Sequence, residues 1–174
     1  YTDYGMIGKQ SVSGTKVYAP VLLAGTATLL CYDVSTSAAC AGQPYALAGL
    51  SAVGSVPAFS VAADGRIYVT ANQVWCFDAS TDAACAGSWP VGSLNSASSV
   101  APLRDAQLDV VGVCAIRGAS ACWDLTGASV TVPSGLASAL SADPASSMGT
   151  WSDFSWSTQR QYWFNGGSMY CYDW

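Results

Sequence analysis

The chain contains no histidine and no glutamate, and all eleven of its acidic residues are aspartate. Without histidine, Ser-His-Asp and Cys-His catalysis are excluded. Any acid/base pair would have to be Asp with Asp. Lysine is confined to Lys9 and Lys16, and Lys plus Arg total 6 against a formal net charge of −5. A chain of this balance has no basic face for nucleic acid. No run of about twenty apolar residues occurs, so no membrane-spanning helix is expected. Charged residues make up only 10 %, whereas a long surface helix normally carries Glu, Lys, Arg and Gln on its wet side.

The polar residues present are Ser, Thr, Gly, Asn and Asp, which favour strands and turns. The expected class is therefore all-β. Apolar residues reach 51 % over 174 positions, enough for one domain with its own core. Seven cysteines are many for this length. They lack the close pairing of a zinc site, and an oxidising, extracellular setting explains them better. No initiator Met or signal peptide precedes Tyr1, so the chain is read as a mature product or a piece of a longer one.

An internal repeat organises the sequence. Cys31-Tyr32-Asp33, Cys76-Phe77-Asp78, Cys122-Trp123-Asp124 and Cys171-Tyr172-Asp173 share the pattern Cys-aromatic-Asp, at spacings of 45, 46 and 49 residues. The first two copies match further, from the Ser-Thr that follows to Cys40-Ala41-Gly42 and Cys85-Ala86-Gly87. Tyr68, Cys114 and Trp163 lie eight residues before their motif cysteines. Tyr18 lies thirteen before Cys31, which implies a longer hairpin connection in the first unit. The units run roughly 1–50, 51–94, 95–136 and 137–174, within one domain spanning 1–174.

The second unit parses most clearly. Strands are expected over 58–63, 66–71 and 74–78, with a fourth over 86–91. Asp64-Gly65 and Asn72-Gln73 supply the turns, and Asn165-Gly166-Gly167 does so in the last unit. Asp-Gly and Asn tolerate the positive φ of tight hairpins. Four short antiparallel strands at a period near 45 residues describe a propeller blade. Blades bury their faces only by stacking on one another, so the motif aromatics are expected between blades. The architecture expected is an antiparallel β-propeller of about four blades, or part of a larger one, whose last blade is incomplete. An incomplete blade edge invites another protein chain, as a homo-oligomer or larger assembly.

The segments Asp64-Gly65-Arg66-Ile67-Tyr68-Val69 and Val74-Trp75-Cys76-Phe77-Asp78-Ala79-Ser80-Thr81 resemble the repeat of quinoprotein-type (PQQ-like) β-propellers. The resemblance implies the propeller fold. Enzymes of that family hold a quinone and calcium with Glu, Asn and Asp, and several have a disulfide between adjacent cysteines. This chain has no Glu and no adjacent Cys pair, so the resemblance carries over fold rather than catalysis.

The cysteine offsets point to local links. Cys31 with Cys40, and Cys76 with Cys85, recur at the same spacing after the third strand. Unit three has Thr131 where the second cysteine is expected, and Cys114 faces Cys122 across a hairpin centred on Gly118 instead. Cys171 is left unpaired or bonds another chain.

No metal-ligand spacing or phosphate-binding Gly-rich loop is present, so neither metal nor cofactor is expected. Asp33, Asp78, Asp124 and Asp173 recur at one repeat position and are read as caps of the turns that follow. Trp151, Asp153 and Trp156 form the one segment with a binding chemistry, since indole rings stack on sugar C–H faces while polar groups read hydroxyls. Burial between blades, which alternation alone predicts, is the preferred reading of the same tryptophans. The function expected is a non-catalytic, secreted module acting as a surface, adhesion or assembly scaffold. A carbohydrate-binding propeller is the alternative, and a fragment of a quinone-dependent enzyme the third.

Overall fold

A computed structural model describes residues 4–6, 10–23, 26–47, 58–61, 64–70, 73–93, 99–116, 121–135, 151–155, 160–165 and 168–173. All of its extended elements are antiparallel strands, arranged in four separate sheets that follow one another along the chain. Among the described residues no sheet closes on itself.

The first sheet contains β1 (Tyr4–Met6), β2 (Ser11–Ser13), β3 (Lys16–Leu23), β4 (Thr26–Asp33), β5 (Ala38–Ala39) and β6 (Tyr45–Ala46). Both β1 and β2 run beside β3, and both β5 and β6 beside β4. The sheet is thus four strands wide, with its outer strands interrupted. The extra residues before Cys31 lengthen β3 and β4 to eight residues each, rather than the connection between them as expected. Ladder bonds satisfy the added backbone, which a longer loop would leave to water.

The second sheet contains β7 (Ala58–Val61), β8 (Arg66–Thr70), β9 (Val74–Asp78) and β10 (Ala83–Ala84). Its fourth strand differs from the expected 86–91. β10 pairs with Phe77 and Asp78, and the chain returns to the ladder at Val91, opposite Val74. The segment between carries a cis Trp89-Pro90 bond, and Gly87 at φ +113° takes the chain out of an extended run. The first sheet repeats the device: a cis Gln43-Pro44 bond precedes Tyr45, which pairs with Leu29.

The third sheet contains β11 (Ser99–Arg104), β12 (Val110–Ile116), β13 (Ala121–Asp124) and β14 (Ser129–Val130), and the fourth β15 (Trp151–Ser155), β16 (Arg160–Asn165) and β17 (Ser168–Asp173). In the third, Val130 rather than Thr131 stands opposite Cys122, because the turn after Asp124 is shorter. In the fourth, Tyr162 rather than Trp163 stands opposite Cys171, because the stretch of chain joining the facing residues is one residue longer than between Tyr68 and Cys76.

Alternation decides how the sheets pack. Paired residues share a face, and successive residues take opposite faces. Ile67, Val69, Trp75 and Phe77 of the second sheet join Tyr18, Leu29, Cys31 and Leu47 of the first in one core. Tyr68, Val74, Cys76 and Val91, from the opposite face, join Val113, Ala115 and Trp123 of the third. The second sheet is therefore buried on both faces, which is why β8 and β9 are almost continuously apolar. Along one margin β2 lies against β7, β7 against β11, and β11 against β15. Each of these except β2 opens its own sheet.

Candidate functional site

The Cys-aromatic-Asp motif organises each sheet locally. In the second, Cys76 bonds Cys85 with Cα atoms 5.4 Å apart. In the first, Cys31 bonds Cys40 at 5.3 Å. Both pairs continue the register between the third and fourth strands, and in both the second cysteine's N–H donates to the first one's carbonyl at 3.1 Å. Cys114 and Cys122 face each other directly across β12 and β13 and are bonded at a Cα separation of 4.0 Å. That spacing suits a pair without mutual backbone hydrogen bonds. The three cysteine pairs singled out by their offsets thus sit at disulfide distance. Cys171 is free and exposed.

The motif aspartates cap the turns that follow. Asp33 accepts from the Ser35 N–H at 2.9 Å and its hydroxyl at 2.7 Å. Asp78 accepts from Ser80 at 2.8 and 2.6 Å, and Asp124 from Thr126 at 2.8 and 2.7 Å. The side-chain hydrogen bonds of Ser35, Ser80 and Thr126 hold the three carboxyls below the ordinary carboxylate value. Such groups stay ionised and orient backbone; they are not poised to exchange protons. Asp173 instead pairs with Arg160.

A cation also faces the motif aspartate in three sheets, a feature that sequence reasoning missed. Lys16 stands opposite Asp33, Arg66 opposite Asp78, and Arg160 opposite Asp173. In the third sheet the place is taken by Gly112, opposite Asp124. A Cβ there would collide with the Trp123 carbonyl, so the third sheet has no room for a side chain. The available signal was a Lys or Arg 17, 12 and 13 residues ahead of Asp33, Asp78 and Asp173.

The first and second sheets are tied at their rim. Lys16 Nζ donates to Asp82 at 2.6 Å, and the Tyr18 hydroxyl donates to the same carboxylate at 3.1 Å. The hydrogen bond to Asp82 raises the Lys16 pKa. Burial, with Asp82 beside it, pushes the Tyr18 hydroxyl above the ordinary tyrosine value. Both ends of the ion pair are about one quarter exposed, so it fixes geometry more than it stabilises.

The motif aromatics divide. Phe77 and Trp123 are buried at 1 % and 6 % exposure, whereas Tyr32 is 47 % exposed. Tyr32 thus departs from the expectation of a buried inter-blade aromatic. Its face of the first sheet is the one corresponding to Ile67, Val69 and Phe77 in the second, and no described sheet covers it. Val17, Ala19, Leu30, Tyr32 and Ala39 line an open, largely apolar cavity of about 330 Å³ there, edged by Gln10 and Gln43.

Trp151 and Asp153 lie on β15, the edge strand of the fourth sheet, opposite Phe164 and Tyr162. Trp156 lies outside the described residues. Among the described residues no cluster of three or more His, Cys, Asp or Glu could hold a metal ion, and no helix is long and apolar enough to cross a membrane. No protein-family model and no curated protein matches the chain.

Proposed function

We propose that the chain is a secreted, disulfide-stapled module of propeller type, whose four sheets stack as blades and whose task is non-catalytic: a surface, adhesion or assembly scaffold working through protein–protein contacts. The observation that carries this is the second sheet, apolar on both faces and covered on both by its neighbours. Side-by-side stacking of such leaves is the packing of a blade. The succession of β7, β11 and β15 along one margin supports an inner line of first strands. The three disulfides suit an oxidising exterior. The open apolar face around Tyr32 supplies contact surface of the kind partners cover.

Carbohydrate binding is the second reading. It rests on Trp151 and Asp153 sharing an edge strand, where a ring and a carboxylate two residues apart can serve one sugar. Parallel arrays of purified extracellular proteins and of glycans test the two. Protein spots retained by Trp151→Ala and Trp156→Ala, with blank glycan spots, are expected. Glycan binding that disappears in Trp151→Ala would overturn the scaffold role in favour of a lectin. The third reading, a fragment of a quinone-dependent enzyme, finds no support in the residue types present, since the chain has no Glu.

A further inference from the structure

The interface between the first and second sheets and that between the second and third are one interface used twice. In each, the face bearing the motif cysteine of one sheet covers the face bearing the motif aromatic of the next. Tyr18 and Cys31 cover Phe77, and Tyr68 and Cys76 cover Trp123. The outer sheets leave one half of each kind open. The first sheet presents the aromatic half, with Tyr32 at 47 % and Val12 at 59 % exposure. The fourth presents the cysteine half: Met169, Cys171, Arg160 and Asp173 are all exposed, and alternation along β17, with Arg160 opposite Asp173, puts them on one face. The two open surfaces are the complementary halves of the contact already made twice within the chain.

We propose that these halves meet between two copies of this chain, the fourth sheet of one copy stacking on the Tyr32 face of the other. The proposal rests on the stacked-blade reading above and adds the partner and the face. Such a contact is head-to-tail, so it must either close or grow into a filament. Two copies close it, because each then offers its fourth sheet to the other's first. With four sheets per copy, the ring holds about eight, within the range of roughly four to eight that blade packing fills. Within the interface, the cavity bounded by Val17, Leu30 and Ala39 receives side chains of the Met169 face. Those three residues occupy an open slot of the type that Ile67 and Trp75 fill in the core.

Native mass spectrometry and sedimentation velocity of the whole chain, at micromolar concentration and with thiols blocked, test this. The expected species has twice the chain mass. Tyr32→Asp and Met169→Asp each place a charge on a surface that is solvated in the single chain, so both variants should fold. Each should weaken self-association by at least about tenfold. Mixing the two variants should recover a heterodimer, because one intact contact remains between the unaltered fourth sheet of Tyr32→Asp and the unaltered first sheet of Met169→Asp. A self-complementary patch would give no such recovery. In a second measurement, Ala39→Cys is oxidised in the otherwise native chain. A bond from the new thiol to Cys171 of another molecule supports the proposal.

A bond within one molecule would show that a single chain closes its own ring and would overturn it. A monomeric wild-type chain, with both thiols of Ala39→Cys left free, would also overturn it, leaving the Tyr32 face to another partner. Hydrogen exchange separates the two levels of failure. If β8 and β9 are the most protected strands while the protein stays monomeric, only the pairing of copies fails. If they exchange as fast as the fourth sheet, the stack itself fails.

Discussion

Replacing Phe77 by Ala should cost the fold about 3–5 kcal/mol, the usual range for a large buried aromatic. Phe77 is 1 % exposed and stands at the centre of an aromatic group. The ring centres of Tyr45, Tyr18 and Trp75 lie 4.7, 5.6 and 6.0 Å away. Each such pair adds about 0.5–1.5 kcal/mol beyond area alone, which places the cost in the upper half of the range. The instructive comparison is Tyr32, the same motif position one repeat earlier. At 47 % exposure its removal should cost less than about 1 kcal/mol in the isolated chain. For a domain of this size, 1 kcal/mol moves the melting temperature by roughly 2–4 °C. Phe77→Ala should therefore melt roughly 6–20 °C lower, and Tyr32→Ala within a few degrees of the parent.

Urea unfolding followed by tryptophan fluorescence measures both, at dilutions where the protein is a monomer. Trp123→Ala, a third copy of the motif buried at 6 %, should behave like Phe77→Ala. Equal losses for Tyr32 and Phe77 in the monomer would refute the argument, since they would require a cover over the first sheet. A loss at Tyr32 that grows with protein concentration would instead report the contact between copies.

Three further perturbations have definite expected outcomes. Closing a loop of about ten residues stabilises by roughly 2–3 kcal/mol, so Cys76→Ser/Cys85→Ser should lower stability by that amount. Reduction of all three bonds, about 6–9 kcal/mol if independent, should remove most of a typical domain's 5–15 kcal/mol; an unchanged urea midpoint in dithiothreitol would refute this. Asp33, Asp78 and Asp124 have carboxyl pKa values lowered from 3.8 by hydrogen bonds, so the stability they contribute is present above about pH 4 and is lost as pH falls through the lower folded values. Ser80→Ala should accordingly cost about 0.5–1 kcal/mol at pH 7, and the difference from the parent should shrink as melts are taken below about pH 4. Gly87→Ala should cost at least about 2 kcal/mol, because φ is +113° and a Cβ would strike the Thr126 carbonyl; Gly14→Ala, at φ +58° with open space around it, should cost only about 1 kcal/mol, as thermal melts of the two variants would show.

How far the fold could be read from sequence depends on which interactions are local. Hairpins were legible because the turn residues fix them: the Asp64 carboxylate accepts from the Arg66 N–H at 3.1 Å, and Gly65 takes φ +84°. The cysteine pairs were legible because their partners lie one short hairpin apart. Register was less so. A single residue added to the hairpin between Tyr162 and Cys171, or removed after Asp124, moves the residue facing the motif cysteine by one place, and composition does not count hairpin residues.

The outer strands were misplaced for a related reason. β10 makes only two ladder pairs before Gly87 and Pro90 turn the chain away, too short a run for periodicity to mark. Least legible was what covers each face. Alternation assigns Tyr32 and Phe77 to the same face of equivalent sheets, but whether that face is buried depends on a neighbour elsewhere in the chain or in another molecule.

The recurring cations add a constraint that hydrophobic pattern alone lacks. A one-residue slip between the second and third strands would move an entire apolar set to the other face. In the second sheet both faces are apolar, so hydrophobicity discriminates weakly between registers there. Arg66 opposite Asp78 does discriminate, because a slip sets its guanidinium, which is bonded to Asp64, beside Phe77. The same register position recurs as Lys16 opposite Asp33 and Arg160 opposite Asp173, in sheets whose hairpins differ in length; Arg160 binds the aspartate it faces, whereas Lys16 binds Asp82. A chain with so few charges thus places three of its six cations opposite the motif aspartate, where a one-residue slip would set a charge beside an aromatic ring.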